Sequence, residues 1–257
     1  MWRPKPAADD GDFVLDIDVE TQDQRTNVTV SGVLSEPTAG ALRDQLLKCS
    51  AHGPDLLVVD IDDLRVANIH LLSVFSVVAR RLEEWPGTAL VLVCRQPALR
   101  GVLTGNASNR SITVVDDPAN ADDAVAVPRR RQAWRRLPWA THAPRAARRF
   151  VKETCAQWGA KSFADSGTTI VSELVENTLL HTMSGPRVRL QLRDGVFTVA
   201  VTDDSPAPPV LREQPRELGL GLHIVAELAD TWGSTPTRSG GKVVWAVLAE
   251  EGLPSSN

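Results

Sequence analysis

The sequence predicts two α/β units in succession, an α/β sandwich followed by a two-layer α/β sandwich. Three observations predict this. From residue 13 to 115, short apolar runs of strand type alternate with longer helical stretches. From 144 to 248, two helical stretches precede a strand hairpin, a further helix and a last strand. Between them, Pro118 to Pro128 carries Asp122-Asp123 and leads into Arg129-Arg130-Arg131, a break in composition that marks a boundary near 125–130. The chain's 257 residues suffice for two ordinary domains. The expected bounds are 12–125 for the first domain, 126–139 for a basic linker and 140–250 for the second.

Residues 1–11 are polar and expected to be loose. Phe13 to Val19 alternates as a strand, and Asn27 to Gly32 reads as a second. Ser35-Glu36-Pro37 opens a helix to about Ser50, with serine as cap and proline in the first turn. Leu56 to Ile61 is a continuous apolar run of buried-strand type. A helix from about Asn68 to Glu84, a strand Ala89–Cys94, a short helix near Ala98–Leu103 and a strand Ser111–Val115 follow.

In the second half, Pro144 to Trp158 is a helix with proline in its first turn and a basic face of Arg145, Arg148, Arg149 and Lys152. A second helix lies within Asp165 to Met183. Arg187 to Arg193 alternates as a strand with one wet face. Asp194-Gly195 signals a tight hairpin turn, and Val196 to Val201 is the return strand. Gly219 to Leu228 restarts a helix and Lys242 to Leu248 closes the unit, giving helices on one face of a mixed sheet.

Composition narrows the class. Net charge is −4, with an acidic first half and a mildly basic second half. The three cysteines, Cys49, Cys94 and Cys155, are far apart and have no metal-ligand spacing, so free buried thiols in a reducing cytosol are expected. The longest apolar stretch, Leu71 to Ala79, is too short for a membrane span, and Met1-Trp2-Arg3-Pro4 lacks the apolar core of a signal peptide. A cytoplasmic protein without membrane contact is the expectation. Arg129 to Arg136 reads as a solvated strand or linker face rather than a direct nucleic-acid contact, since no helix-turn-helix spacing accompanies it.

The functional signal concentrates in the helix around Ser172 to His181. Glu173, Asn177 and His181 stand at i, i+4, i+8 and share one face. Val171, Val175, Leu179 and Met183 line a neighbouring apolar face, with Ile170 and Leu174 beside them. Such a helix seats itself in a core and offers a carboxylate and an amide to a cavity. Asp203-Asp204-Ser205 ends the hairpin's return strand, and Gly219-Leu220-Gly221-Leu222 opens the next helix. Each piece alone is weak: a Glu-x-x-x-Asn pair is usually a solvated face, and Asp-Asp usually ends a strand.

The ordered set, with Trp232-Gly233 and Gly240-Gly241-Lys242-Val243-Val244-Trp245 after it, resembles the histidine-kinase-like (GHKL, Bergerat-type) ATPase superfamily. It is most similar to the small serine kinases that act as bacterial anti-sigma factors. The resemblance covers roughly 130–250 and implies Mg-ATP as the ligand. Glu173 falls at the family's general base and Asn177 at its magnesium ligand. Asp203 falls at the aspartate that accepts a hydrogen bond from the adenine amino group and so selects ATP over GTP. Gly219 and Gly221 match the glycines that close over phosphate, and Ser205, Leu222 and His181 complete the nucleotide set. For His181 the alternative is a capping or packed histidine at the helix end. Three positions depart from the family pattern: Leu220 replaces a frequent arginine, Lys242-Val243-Val244 stands where a threonine is common, and Ser205 replaces a glycine.

The first half resembles the STAS domain of anti-sigma-factor antagonists in its order of elements and in Val59-Asp60-Ile61 leading into a helix. In that family a serine at the start of the second helix accepts phosphate. Here the aligned run is Ala67-Asn68-Ile69-His70-Leu71, with His70 or Ile69 at the serine's place and no hydroxyl before Ser73. The resemblance thus implies a STAS-like half without its usual phosphorylation point, where Asn68 serves as a helix cap.

Taken together, these resemblances imply a STAS-like domain fused to an anti-sigma-type serine kinase. Its partners would be a separate STAS-domain antagonist and a sigma factor, with a homodimer as in similar kinases. The alternative is a module that sequesters a partner without catalysis, with or without ATP.

Overall fold

A computed structural model of the chain describes residues 14–105, 112–125, 130–209 and 221–250. Phe13, Ser111 and Gly219, each expected to open an element, lie outside the described residues. The chain divides into two compact units, Met1–Val127 and Pro128–Asn257.

The first unit is built on strands β1 (Leu15–Gln22), β2 (Arg25–Leu34), β3 (Leu56–Asp60), β4 (Leu64–Val66), β5 (Ala89–Val93) and β6 (Thr113–Val115). Their order is β1-β2-β3-β5-β6, with β4 also paired to β2. Strands β1 and β2 form an antiparallel hairpin, and every other pairing is parallel. The first half of β2 pairs with β3 and its last three residues pair with β4, so the chain bends between β3 and β4 while staying against one neighbour.

Helices α1 (Glu36–Ser50), α2 (Ser73–Glu84) and α3 (Pro97–Gly105) connect the strands. Leu42, Leu46, Phe75, Val78 and Leu82 meet Val28, Val30, Leu57, Val59 and Leu92 in one core. Alternate residues of β3 and β5 point the other way, where Leu56, Val58, Val91 and Val93 pack on Ala121 of α4 (Ala121–Ala124). Burial on both faces is why β3 and β5 read as unbroken apolar runs.

The region aligned with the family's phosphoacceptor, and expected to lack one here, is a 3-10 turn, Ile69–Leu72, ahead of α2. Asn68 Oδ1 accepts the His70 N–H at 3.1 Å and so caps it. His70 and Ser73 are both exposed.

The second unit holds β7 (Arg131–Arg136), α5 (Ala143–Trp158), α6 (Ala164–His181), β8 (Arg187–Arg193), β9 (Val196–Asp203), α7 (Gly221–Leu228), β10 (Thr231–Pro236) and β11 (Lys242–Ala249). Residues 131–136, placed in the linker by the sequence reading, form an edge strand with Arg131, Trp134 and Arg136 exposed. The sheet order is β10-β11-β9-β8-β7. Every pairing in it is antiparallel, where a mixed sheet was expected. Two helices rather than one separate β7 from β8, and strand β11 folds back between β9 and β10. A single crossover helix between neighbours would have given a parallel pair.

The β8–β9 hairpin turns through Asp194 (φ 50°) and Gly195 (φ 74°), the paired left-handed residues that favour Asp-Gly. Helices α5 and α6 pack on one sheet face. Val151, Cys155, Ile170, Val171 and Val175 meet Val188, Leu190, Phe197, Val199 and Val201 there. No helix of the described residues is long and apolar enough to cross a membrane.

Candidate functional site

Helix α6 presents the residues that the sequence singled out. Ile170, Val171, Leu174 and Val175 are buried and fix the helix on the sheet. That packing leaves Glu173 and Asn177 half-buried and one turn apart, and His181 exposed at the last helical residue. Met183 does not belong to the apolar face as expected. The helix ends at His181, and Met183 beyond it is 81% exposed.

A cavity of about 480 Å³ opens beside this helix, a size usual for small-molecule sites. Asn177 and His181 reach it from α6, Asp203 and Ser205 from the end of β9, and Leu222 from α7. Leu174, Thr178 and Val244 supply further wall, and Ala207, Pro208 and Pro209 border it. Thus five of the expected residues share one hollow.

Glu173 lies beside the hollow rather than in its lining. Its carboxylate faces the start of α7: a Cβ on Gly221 would stand 2.6 Å from Glu173 Oε2 and 3.6 Å from Asn177 Nδ2. A side chain at Gly221 would thus crowd the movable end of Glu173, while Asn177 would stay at ordinary contact distance. Burial, with the Glu176 charge as a smaller cause, pushes the Glu173 carboxyl above the usual glutamate range.

Asp203 is 4% exposed at the end of β9. Its cross-strand partner in the register is Lys242, the first residue of β11. Lys242 Nζ donates to Asp203 Oδ1 at 2.8 Å and to the Ser205 carbonyl at 3.2 Å. The Ser205 N–H donates to the same Asp203 Oδ1 at 2.8 Å. A Cβ at Gly241 would stand 2.1 Å from the Asp203 carbonyl oxygen, so only glycine permits this approach of the strands. Lys242 also lines the cavity.

Sequence reasoning placed Lys242 at the start of the closing strand and noted it as a departure from a family pattern, but missed this ion pair. A signal was available: Lys242 is the sole charged residue in the apolar run Lys242–Ala249, and a buried charge there needs a partner.

Residues 138–248 match the family model described as a histidine kinase-like ATPase domain. No curated protein sequence matches the chain. Among solved structures, an anti-sigma factor antagonist from Mycobacterium paratuberculosis is 23% identical, with a TM-score of 0.39, and the match covers 45% of this chain and 97% of that one. The RsbU and RsbW domains of a Mycobacterium tuberculosis protein are 22% identical at a TM-score of 0.37, over 46% of this chain and 32% of that one. SpoIIAA in its unphosphorylated form is 12% identical at 0.34, over 44% and 99%. Most of the second unit thus matches a histidine kinase-like ATPase domain, and the first unit is an α/β unit on a mostly parallel sheet.

Proposed function

We propose that the second unit binds Mg-ATP and transfers phosphate to a serine on a separate STAS-domain protein, as part of a partner-switching system that controls a sigma factor. The working domains would be the expected 12–125 and 140–250, with β7 from the intervening 126–139 added to the second through its pairing with β8. The observation that carries this reading is convergence: α6, the end of β9 and α7 bring Asn177, Asp203 and Leu222 to one cavity, with Glu173 held against Gly221 beside it.

The donor set fits the nucleotide and its ion. Among the described residues no group of three His, Cys, Asp or Glu side chains could hold a metal ion. The site's candidate ligand is instead the amide of Asn177 in the cavity lining, and magnesium takes its remaining ligands from water and phosphate. Asn177 would hold it, and when bound it would offset charge on the phosphate oxygens. Asp203 would face the base, with His181 and Ser205 near it and Leu222 giving apolar contact. The backbone N–H of Gly221 would face phosphate; Gly219, proposed for the same set, lies outside the described residues. Glu173 would accept the proton of the attacking serine hydroxyl, a task for which a raised pKa is suited. A homodimer, as in similar kinases, belongs to the same reading.

The test is to incubate the full chain with γ-labelled ATP and STAS-domain proteins that carry a serine at the start of their second helix. Label on that serine is the expected result.

A second reading has one observation in its favour. Lys242 already engages Asp203 Oδ1 at the place expected for the base. In that reading the unit sequesters a partner without phosphotransfer. Measured ATP binding with no label on any STAS-domain protein selects it.

A further inference from the structure

Asp203 is the last residue of β9, where a side chain can turn unless something holds it. Two donors hold this one, and both bind the same oxygen. Lys242 Nζ and the Ser205 N–H each reach Asp203 Oδ1 at 2.8 Å. The Lys242 ammonium is itself tied to the Ser205 carbonyl at 3.2 Å, so the three residues close a small ring of hydrogen bonds. The Lys242 and Asp203 side chains are only 9% and 5% exposed. Two donors on one oxygen fix the rotation of a carboxylate, and burial keeps water from competing for it. All three residues line the cavity.

We propose that Lys242 is a positioning residue: it aims the Asp203 carboxylate at the amino group of adenine, and the site's preference for a 6-aminopurine depends on it. The proposal rests on the nucleotide-binding reading above, in which Asp203 accepts from that amino group. Hydrogen bonds weaken steeply as their angle closes, so an acceptor fixed in advance selects better than one ordered only on binding. The Ser205 N–H lies two residues along the same chain and moves with it. Lys242 comes from another strand. It stands opposite Asp203 in the register of β9 and β11, and the close approach at Gly241 sets the spacing of the two strands there. It therefore ties the carboxylate to a fixed frame. An apolar residue at 242 would leave the Asp203 charge buried, with only the Ser205 N–H of these two donors and with freedom to turn.

The experiment titrates the full chain, with magnesium, against ATP and purine riboside triphosphate, which lacks only the 6-amino group. Both titrations are repeated with Lys242→Met, which keeps the length and removes the donor. The wild type is expected to bind ATP about thirtyfold more tightly than the analogue. In Lys242→Met that ratio is expected to fall below about threefold, through weaker ATP binding with the analogue little changed. Equal loss of both nucleotides, with the ratio kept, marks a merely structural role and overturns the proposal. A wild type that binds both equally also overturns it and leaves the magnesium–nucleotide site standing. Binding of neither nucleotide overturns both readings. If Lys242→Met does not fold, crystals of the wild type with ATP decide. Lys242 Nζ still on Asp203, with the adenine amino group donating to that carboxylate, is the expected result. An ammonium that has left Asp203 for the base or the phosphates overturns the proposal.

Discussion

The strand side and the helix side of the site hold their polar groups differently. At the strand end, Asp203 and Lys242 are buried, face each other across β9 and β11, and are locked by Ser205 and the close approach at Gly241. At the helix end, Glu173 and Asn177 are half-buried on α6, and their neighbour is the glycine that opens α7. Charges placed on paired strands are fixed by backbone register. Groups placed on a helix face keep rotamer freedom and partial contact with water. The strand end is thus suited to recognition, and the helix end to a proton and an ion that come and go.

Four changes sharpen or break this contrast. The largest effect is expected from Glu173→Gln: phosphotransfer should fall about a thousandfold while ATP affinity holds, measured by labelled transfer and by titration. Equal loss of both would place Glu173 in binding rather than chemistry.

Asp203→Ala should act mainly on stability, because Lys242 is left buried without its counter-charge; about 3 kcal/mol should be lost in chemical denaturation. The double variant with Lys242→Met should recover most of that. No recovery would mean that the ion pair is not what the first change disturbs.

Asn177→Ala should reduce magnesium-dependent nucleotide binding about a hundredfold with little change in stability, since its side chain is half-buried at the cavity. Tight nucleotide binding by this variant would reject the site assignment.

The smallest effect concerns pH. Glu173 holds its proton more tightly in the folded protein than in the unfolded chain. Its contribution to stability is therefore full below the ordinary glutamate pKa and is lost as pH rises through the higher folded value. Denaturation followed across that interval should show a slight fall that Glu173→Gln removes. On the same grounds, the acid limb of phosphotransfer should lie above the ordinary glutamate range.

Local pattern made much of this legible. The face of α6, the Asp-Gly turn between β8 and β9, and the position of Asp203 at a strand end follow from spacing and turn chemistry within a few residues. Features that depend on distant pairing were not legible. Lys242 meets Asp203 only because β11 inserts between β9 and β10, and nothing local to either residue announces that register. For Arg131–Arg136 the sequence left a solvated strand and a linker face open, because a polar edge strand has the composition of a solvated segment; its pairing with β8 decides for the strand. Met183 was counted on the apolar face because its spacing continues past Thr182, where the backbone turns extended and the helix stops.

The central claim is that the second unit binds a nucleotide through a magnesium ion held at Asn177. It is tested most directly by calorimetric titration of the full chain with ATP, with magnesium and then with a chelator. Saturable one-site binding that weakens sharply when magnesium is removed is the predicted result. No heat of binding up to millimolar ATP in the presence of magnesium would contradict it.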